Sequence, residues 1–283
     1  MPGFLGPAFF CSFIPLKLFI NSGMNENFSE PVNSQHPVGV SLINGHVRWG
    51  QSVLFDNLDM QLEAGKFTCL LGPSGVGKSM LLRLFLGLGA GHPDNKADVI
   101  CSDGLGLQGR AAFMAQNDLL MPWLTVAENV GLGLILRSGR KNLKTQKLSI
   151  DQLLDDVGLN AVRDVRPDTL SGGMRQRVAI ARTLFENKPV VLMDEPFSAL
   201  DVITRLKLQD MAARTLFGRT VLLVTHDPME ALRLGHRIYV MSGSPAELDA
   251  GLLPPGDIPR HVDDGQLLSM QGELLARLAG APS

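Results

Sequence analysis

The sequence predicts an α/β fold, a mostly parallel core sheet flanked by helices, on three observations. Residues 67–71, 111–115, 190–193, 221–224 and 238–241 form apolar runs that are continuous and not alternating. A strand with one wet face alternates, so continuous runs fit strands buried on both faces, as in a parallel sheet covered by helices. Helical patterns lie between the runs. Residues 79–88 follow the first, and Met174, Val178 and Ala181 fall at i, i+4 and i+7, one apolar stripe on a helix that starts near Ser171. The third observation is a glycine-rich phosphate-loop pattern where the first strand hands over to its helix.

Composition bounds what this fold is for. The chain has 283 residues, enough for one large domain or a domain with a subdomain. It is 45% apolar and 19% charged, which places it with globular chains. A formal net charge of -2 gives no global basic excess of the kind nucleic-acid binding usually leaves, though a local basic patch stays open. Cys11, Cys69 and Cys101 are far apart and form no CxxC pair, which argues against a zinc site and a disulfide framework and fits a reducing compartment.

Residues 1–37 read as an extension outside the fold. The stretch 3–20 is strongly apolar, but Pro7, Pro15 and Lys17 interrupt it and no charged region precedes it, so it is a poor signal peptide and a marginal span. Three readings stay open: a membrane-touching arm, a disordered tail, or residues upstream of a true start at Met24. Further on, Trp49 precedes the first apolar run. An aromatic there can stack on a base or simply pack in a core.

The first run leads into Gly72, Pro73, Ser74, Gly75, Val76, Gly77, Lys78 and Ser79, which fit G-x-x-x-x-G-K-[ST]. Glycines let backbone N–H groups wrap phosphates, and the following helix N-terminus adds its positive dipole end. Lys78 supplies a cation for the β- and γ-phosphates, and Ser79 a hydroxyl for Mg²⁺. Gln116 ends the second run, where a neutral amide can touch Mg²⁺ or an attacking water. Residues 119–169 read mostly as helix, with the polar stretch 137–147 as a solvated loop or helix end.

The third run ends in Asp194 and Glu195. Successive strand side chains face opposite ways, so the two carboxylates are expected to do different work. Asp194 fits a Mg²⁺ ligand and Glu195 the general base. His226 follows the fourth run, where its imidazole can bond a γ-phosphate oxygen. Beyond 241 the chain reads as a tail, with a possible amphipathic helix at 266–278.

In chain order this set resembles the ABC (ATP-binding cassette) ATPases. Trp49 matches the aromatic A-loop, Gly72 to Ser79 the Walker A loop, Gln116 the Q-loop, residues 170–176 the signature, residues 190–195 the Walker B strand, residues 198–201 with Asp201 the D-loop, and His226 the switch histidine. The resemblance covers roughly residues 38–241. Met174 stands where many members carry Gln. The family implies a P-loop NTPase fold with an antiparallel β part and a helical subdomain near 119–169. It implies two cassettes packed head to tail around ATP and Mg²⁺, with Ser171, Gly172, Gly173 and Gln176 acting on the partner's nucleotide. It also implies a homodimer bound to integral membrane permease subunits on the cytoplasmic face of the cell membrane. The wording of residues 119–130 with 196–201 and 225–231 is similar to importers of nitrate, sulfonate, taurine or thiamine-pyrimidine precursors, which would add an extracytoplasmic substrate-binding protein. An exporter cassette or a non-transport ABC ATPase are the rival readings.

Overall fold

The computed structural model describes residues 37–89 and 94–279. The readings made for residues 1–36, Cys11 included, lie outside them. In chain order the elements are β1 (Val40–Trp49), β2 (Ser52–Leu62), β3 (Phe67–Leu71), α1 (Lys78–Phe85), β4 (Lys96–Cys101), β5 (Ala111–Met114), α2 (Val126–Val130), α3 (Leu132–Ser138), α4 (Lys147–Asp156), α5 (Gly172–Phe185), β6 (Val190–Asp194), α6 (Val202–Thr215), β7 (Thr220–Val224), α7 (Pro228–Leu234), β8 (Arg237–Gly243), β9 (Ala246–Leu248) and α8 (Gly265–Leu278).

Two sheets organise them. The larger has the order β5-β6-β7-β3-β8-β9, parallel throughout except for β9, which runs antiparallel at one edge. Every residue of β3, β6 and β7 is buried. Their side chains alternate between two apolar clusters. Cys69, Leu71, Val191, Met193, Val221 and Leu223 pack with the helices that include α5, α6 and α7. Leu70, Val190, Leu192, Leu222 and Val224 pack with α1 and the first two strands. Apolar side chains fill nearly every position because both faces are covered, Thr68, Asp194 and Thr220 being the polar exceptions.

The smaller sheet, β2-β1-β4, is antiparallel. Residues 50–51 turn β1 back into β2, with Gly50 at φ 59 and Trp49 opposite Ser52, so Trp49 stands at the hairpin tip. Between β5 and α5 the chain is helical. Thr125 caps α2 in a capping box with Glu128, and Arg140–Gln146 is an exposed 3-10 turn.

The segment read as a tail is folded onto the domain. Leu267 and Leu274 of α8 are wholly buried in the same cluster as β3. Arg260, also buried, donates to the carbonyls of Leu232, Gly235, Pro254, Pro255 and Gly256. Cys69 and Cys101 are buried free thiols. Among the described residues no helix is long and apolar enough to cross a membrane.

Candidate active site

A cavity of about 330 Å³ opens where β3 meets α1, lined by Trp49, Leu54, Ser74, Gly75, Gly77, Lys78, Ser79, Met80, Gln116 and Glu195. The loop between strand and helix needs its glycines. A Cβ on Gly72 would lie 2.5 Å from the Met241 carbonyl oxygen, and Gly77 holds φ 115 against the Phe55 ring. No side chain caps α1, so its first N–H groups stay available to an anion. Lys78 is buried, and its Nζ donates to the carbonyls of Gly72 at 2.7 Å and Pro73 at 2.9 Å, which curls the loop around the ammonium. Burial pushes the Lys78 pKa below its usual value, against the pull of Glu195 and Asp194. Trp49 reaches this cavity at 66% exposure, so its face is open and core packing is not its role.

Asp194 is buried at the end of β6. Burial pushes its carboxyl pKa up, and the neighbouring Ser79 hydroxyl opposes that shift. Glu195 does separate from Asp194, but strand alternation is not the cause. The strand ends at Asp194, and Glu195 takes φ 49, a left-handed turn that costs a non-glycine residue ~1 kcal/mol or more. Tertiary bonds hold it there. Its N–H donates to the Val224 carbonyl at 2.8 Å, and its own carbonyl accepts from Gln176 Nε2 at 2.9 Å and Ser198 Oγ at 3.1 Å. The turn leaves Glu195 Oε2 3.2 Å from His226 Nδ1 and 3.5 Å from Gln116 Nε2. A carboxylate so held, at the rim of a phosphate-binding cavity, can orient a water and take its proton.

Ser171 caps α5, its Oγ accepting from the Met174 N–H at 3.2 Å. Ser171 and Gly172 are exposed and Gly173 is half-buried, and none of the three lines the cavity. Gln176 departs from the expectation that it faces a partner. It is buried and also donates to the Pro196 carbonyl of its own chain at 2.7 Å, so it braces the turn that aims Glu195. The same helix holds the segment after Gln116: Arg175 pairs with Asp118 at 3.1 Å, and Arg182 donates to the carbonyls of Asp118 and Leu119.

Residues 55–198 match the ABC transporter family, half of the chain. The chain belongs to the ABC transporter ATP-binding family. It is 42% identical over 230 residues to an uncharacterized ABC transporter ATP-binding protein of Haemophilus influenzae, spanning 80% of this chain and 93% of that protein. It is 41% identical over 240 residues to the aliphatic sulfonates import ATP-binding protein SsuB 1 of Pseudomonas syringae pv. syringae, spanning 83% of this chain and 94% of the relative. The SsuB 1 protein of Rhodococcus jostii is 39% identical over 86% of this chain and 95% of its own length. Among solved structures, a dimeric ATP-binding cassette in a post-hydrolysis state with ADP and Pi superposes with a TM-score of 0.64 at 30% identity, covering 77% of this chain and all of that one.

An ABC cassette of this family hydrolyses ATP to drive transport, and that is the activity of this chain. Two further loops of the cassette flank Glu195. Asp201 caps α6, its Oδ1 accepting from the Thr204 N–H at 3.0 Å, and such N–H bonds hold its pKa below the usual carboxylate value. Asp227, next to His226, caps α7 by accepting from the N–H groups of Met229 and Glu230. On the loop after Gln116, Leu119 and Trp123 are 57% and 65% exposed. The loop beneath them is pinned by Asn129, a wholly buried side chain that bonds the backbone of Met121, Leu124 and Thr125. These two apolar side chains are therefore presented outward on a fixed loop. Sequence reasoning missed Gln176 as a brace, and also Asn129 and Asp118. Each was in plain view, but a polar residue's partner across the fold leaves no mark in its own neighbourhood.

Proposed function

We propose that this chain powers an importer of aliphatic sulfonates. The observation that carries the substrate class is the recurrence of that import activity in the names of relatives 38–41% identical along most of their length. In this reading two copies pair head to tail around ATP and dock, on the cytoplasmic face, against integral membrane permease subunits that receive cargo from an extracytoplasmic binding protein. The dimeric solved cassette supports the pairing. The exposed Leu119 and Trp123 beside the Gln116 loop support the docking surface, since apolar side chains held outward suit a partner. No nucleic-acid partner is proposed.

Each residue then has a role. Trp49 stacks on adenine. The backbone of residues 72–79 and Lys78 grip the phosphates, and Glu195 polarises the attacking water while His226 and Gln116 hold its geometry. Ser171, Gly172 and Gly173 of the second copy close on the γ-phosphate. Mg²⁺ takes one or two protein oxygens and completes its shell with phosphates and water. Ser79 and Asp194 are the oxygens at hand, and Gln116 adds an amide. Held by these oxygens, Mg²⁺ would supply positive charge to offset that of the phosphates.

Affinity purification of the full chain with its membrane partners, followed by identification of the ligand on the co-purified binding protein, tests the proposal. An alkanesulfonate supports it. Nitrate or a pyrimidine overturns the substrate class, and membrane partners that take up no solute on ATP addition overturn the importer reading.

A further inference from the structure

Helices α6 and α7 begin at the two loops that flank Glu195. Asp201 caps the first, and His226 with Asp227 precedes the second. A polar seam laces the helices together. Arg205 Nη1 lies 3.3 Å from Asp227 Oδ2, Gln209 Nε2 donates to Glu230 Oε2 at 3.0 Å, and Arg233 donates to Gln209 Oε1 at 2.9 Å and to Asp210 Oδ1 at 2.5 Å. The residues recur at helical spacing: 205 and 209 on α6, 227, 230 and 233 along α7. Gln209, Glu230 and Arg233 are buried, so this is not a solvated surface pairing. Arg233 also donates to the Arg260 and Leu206 carbonyls, and buried polar groups satisfied in this way fix a unique arrangement of the elements that carry them.

Arg205 lies at the end of the seam that meets the site. Its Nη2 also donates to the Leu200 carbonyl at 3.1 Å, within the turn that ends at Asp201. One planar guanidinium thus holds the backbone of one loop and the carboxylate of the other, a fork geometry that Lys cannot supply. Arg205, Glu195, Ser198, His226 and Asp227 line one small cavity of about 30 Å³, whereas Arg205 is absent from the lining of the 330 Å³ nucleotide cavity.

We infer that Arg205 is a positioning residue for hydrolysis: it clamps the 198–201 turn to the His226 loop, so that both loops meet the Glu195 carboxylate as one body. The inference rests on the reading of Glu195 and His226 as the groups that handle the attacking water. A displacement of the 198–201 turn, for example by a second copy pressing on it, would pass through Arg205 to His226.

Steady-state ATP hydrolysis by the full chain tests this, with nucleotide affinity measured alongside. Arg205→Met should lower kcat about tenfold or more and leave KM for ATP within about twofold, because the lesion lies outside the nucleotide cavity. Arg205→Lys should recover only part of the loss. Asp227→Asn keeps the α7 cap acceptor but removes the charge, so it reports on the clamp even if Arg205→Met folds poorly. It should lower kcat in the same direction, and the double variant should lose no more than Arg205→Met alone. A kcat for Arg205→Met within twofold of wild type, or fully additive losses in the double variant, overturns the inference. Glu195→Gln in the same assay separates the two levels. An active Glu195→Gln would overturn the general-base reading, whereas an inactive Glu195→Gln beside a fully active Arg205→Met would overturn the clamp alone.

Discussion

Oε2 of Glu195 lies 3.2 Å from Nδ1 of His226, although the two residues stand on different loops at the ends of β6 and β7. The parallel pairing of those strands, with Asp194 opposite Val224, brings the loops to one level. Ligand sites at the C-terminal ends of parallel strands follow from this geometry, since every loop there faces the same way. His226 is mostly exposed and is not among the residues that line the nucleotide cavity. His226→Ala should therefore lower turnover about a hundredfold while leaving ATP affinity near wild type. Loss of affinity in step with turnover would show that His226 binds nucleotide and does not merely hold the reacting geometry.

Gln176 is the only side chain seen to bond both the Glu195 and Pro196 carbonyls among the described residues. Gln176→Leu keeps the volume but removes the donor to the Pro196 carbonyl and leaves the Glu195 carbonyl to Ser198 alone. It should cost about 1–3 kcal/mol of stability in denaturant unfolding. It should also lower turnover beyond what the folded fraction explains, because Glu195 loses its aim. Unchanged stability would mean that the turn has other support.

Ser171→Arg places a long cation at the exposed N-terminus of α5, outside the cavity lining. Nucleotide affinity of the monomer should stay within about threefold of wild type, while hydrolysis falls by about two orders of magnitude, since only closure by a second copy is blocked. Abolished binding to the monomer would mean that Ser171 serves the site of its own chain.

Glu230 makes stability depend on pH. Burial, the largest cause, and the neighbouring Asp227 charge raise its pKa from 4.5 to about 7, against hydrogen bonds from Thr225 and Gln209 and the charge of Arg205. A raised folded pKa means that the neutral form is favoured on folding. That contribution is complete below 4.5 and is lost as pH rises through about 7. Relative to Glu230→Gln, which cannot ionise, wild type should lose several degrees of unfolding midpoint across that window. A difference constant with pH would show that the carboxylate is ionised throughout.

The sequence carried the parallel strands openly because β3, β6 and β7 are buried at every residue and apolar at all but Thr68, Asp194 and Thr220, a pattern that double-sided burial demands. It carried the phosphate loop because Gly72 and Gly77 mark backbone that other residues cannot adopt. The strands β1, β2 and β4 were reached only through the family resemblance. β4 is half-exposed, with Lys96 and Asp98 in a short run and Ile100 turned outward, and β1 breaks register with β2 between Leu42 and Arg48, which blurs the alternation that would mark it. Glu195 adopts φ 49 with no glycine to announce it, because its conformation is imposed by Gln176, Ser198 and Val224. The α6–α7 seam is likewise invisible along the chain, since each of its bonds joins residues about twenty apart in sequence.

In the proposed mechanism Glu195 is the base at a nucleotide cavity completed by a second copy. ATP hydrolysis by full-length Glu195→Gln, measured with ATP affinity and with molar mass in the presence of ATP and Mg²⁺, tests this most directly. Turnover should fall by at least about a hundredfold with ATP affinity retained, and the chain should accumulate as an ATP-bound dimer. Turnover within a factor of about two of wild type would contradict it.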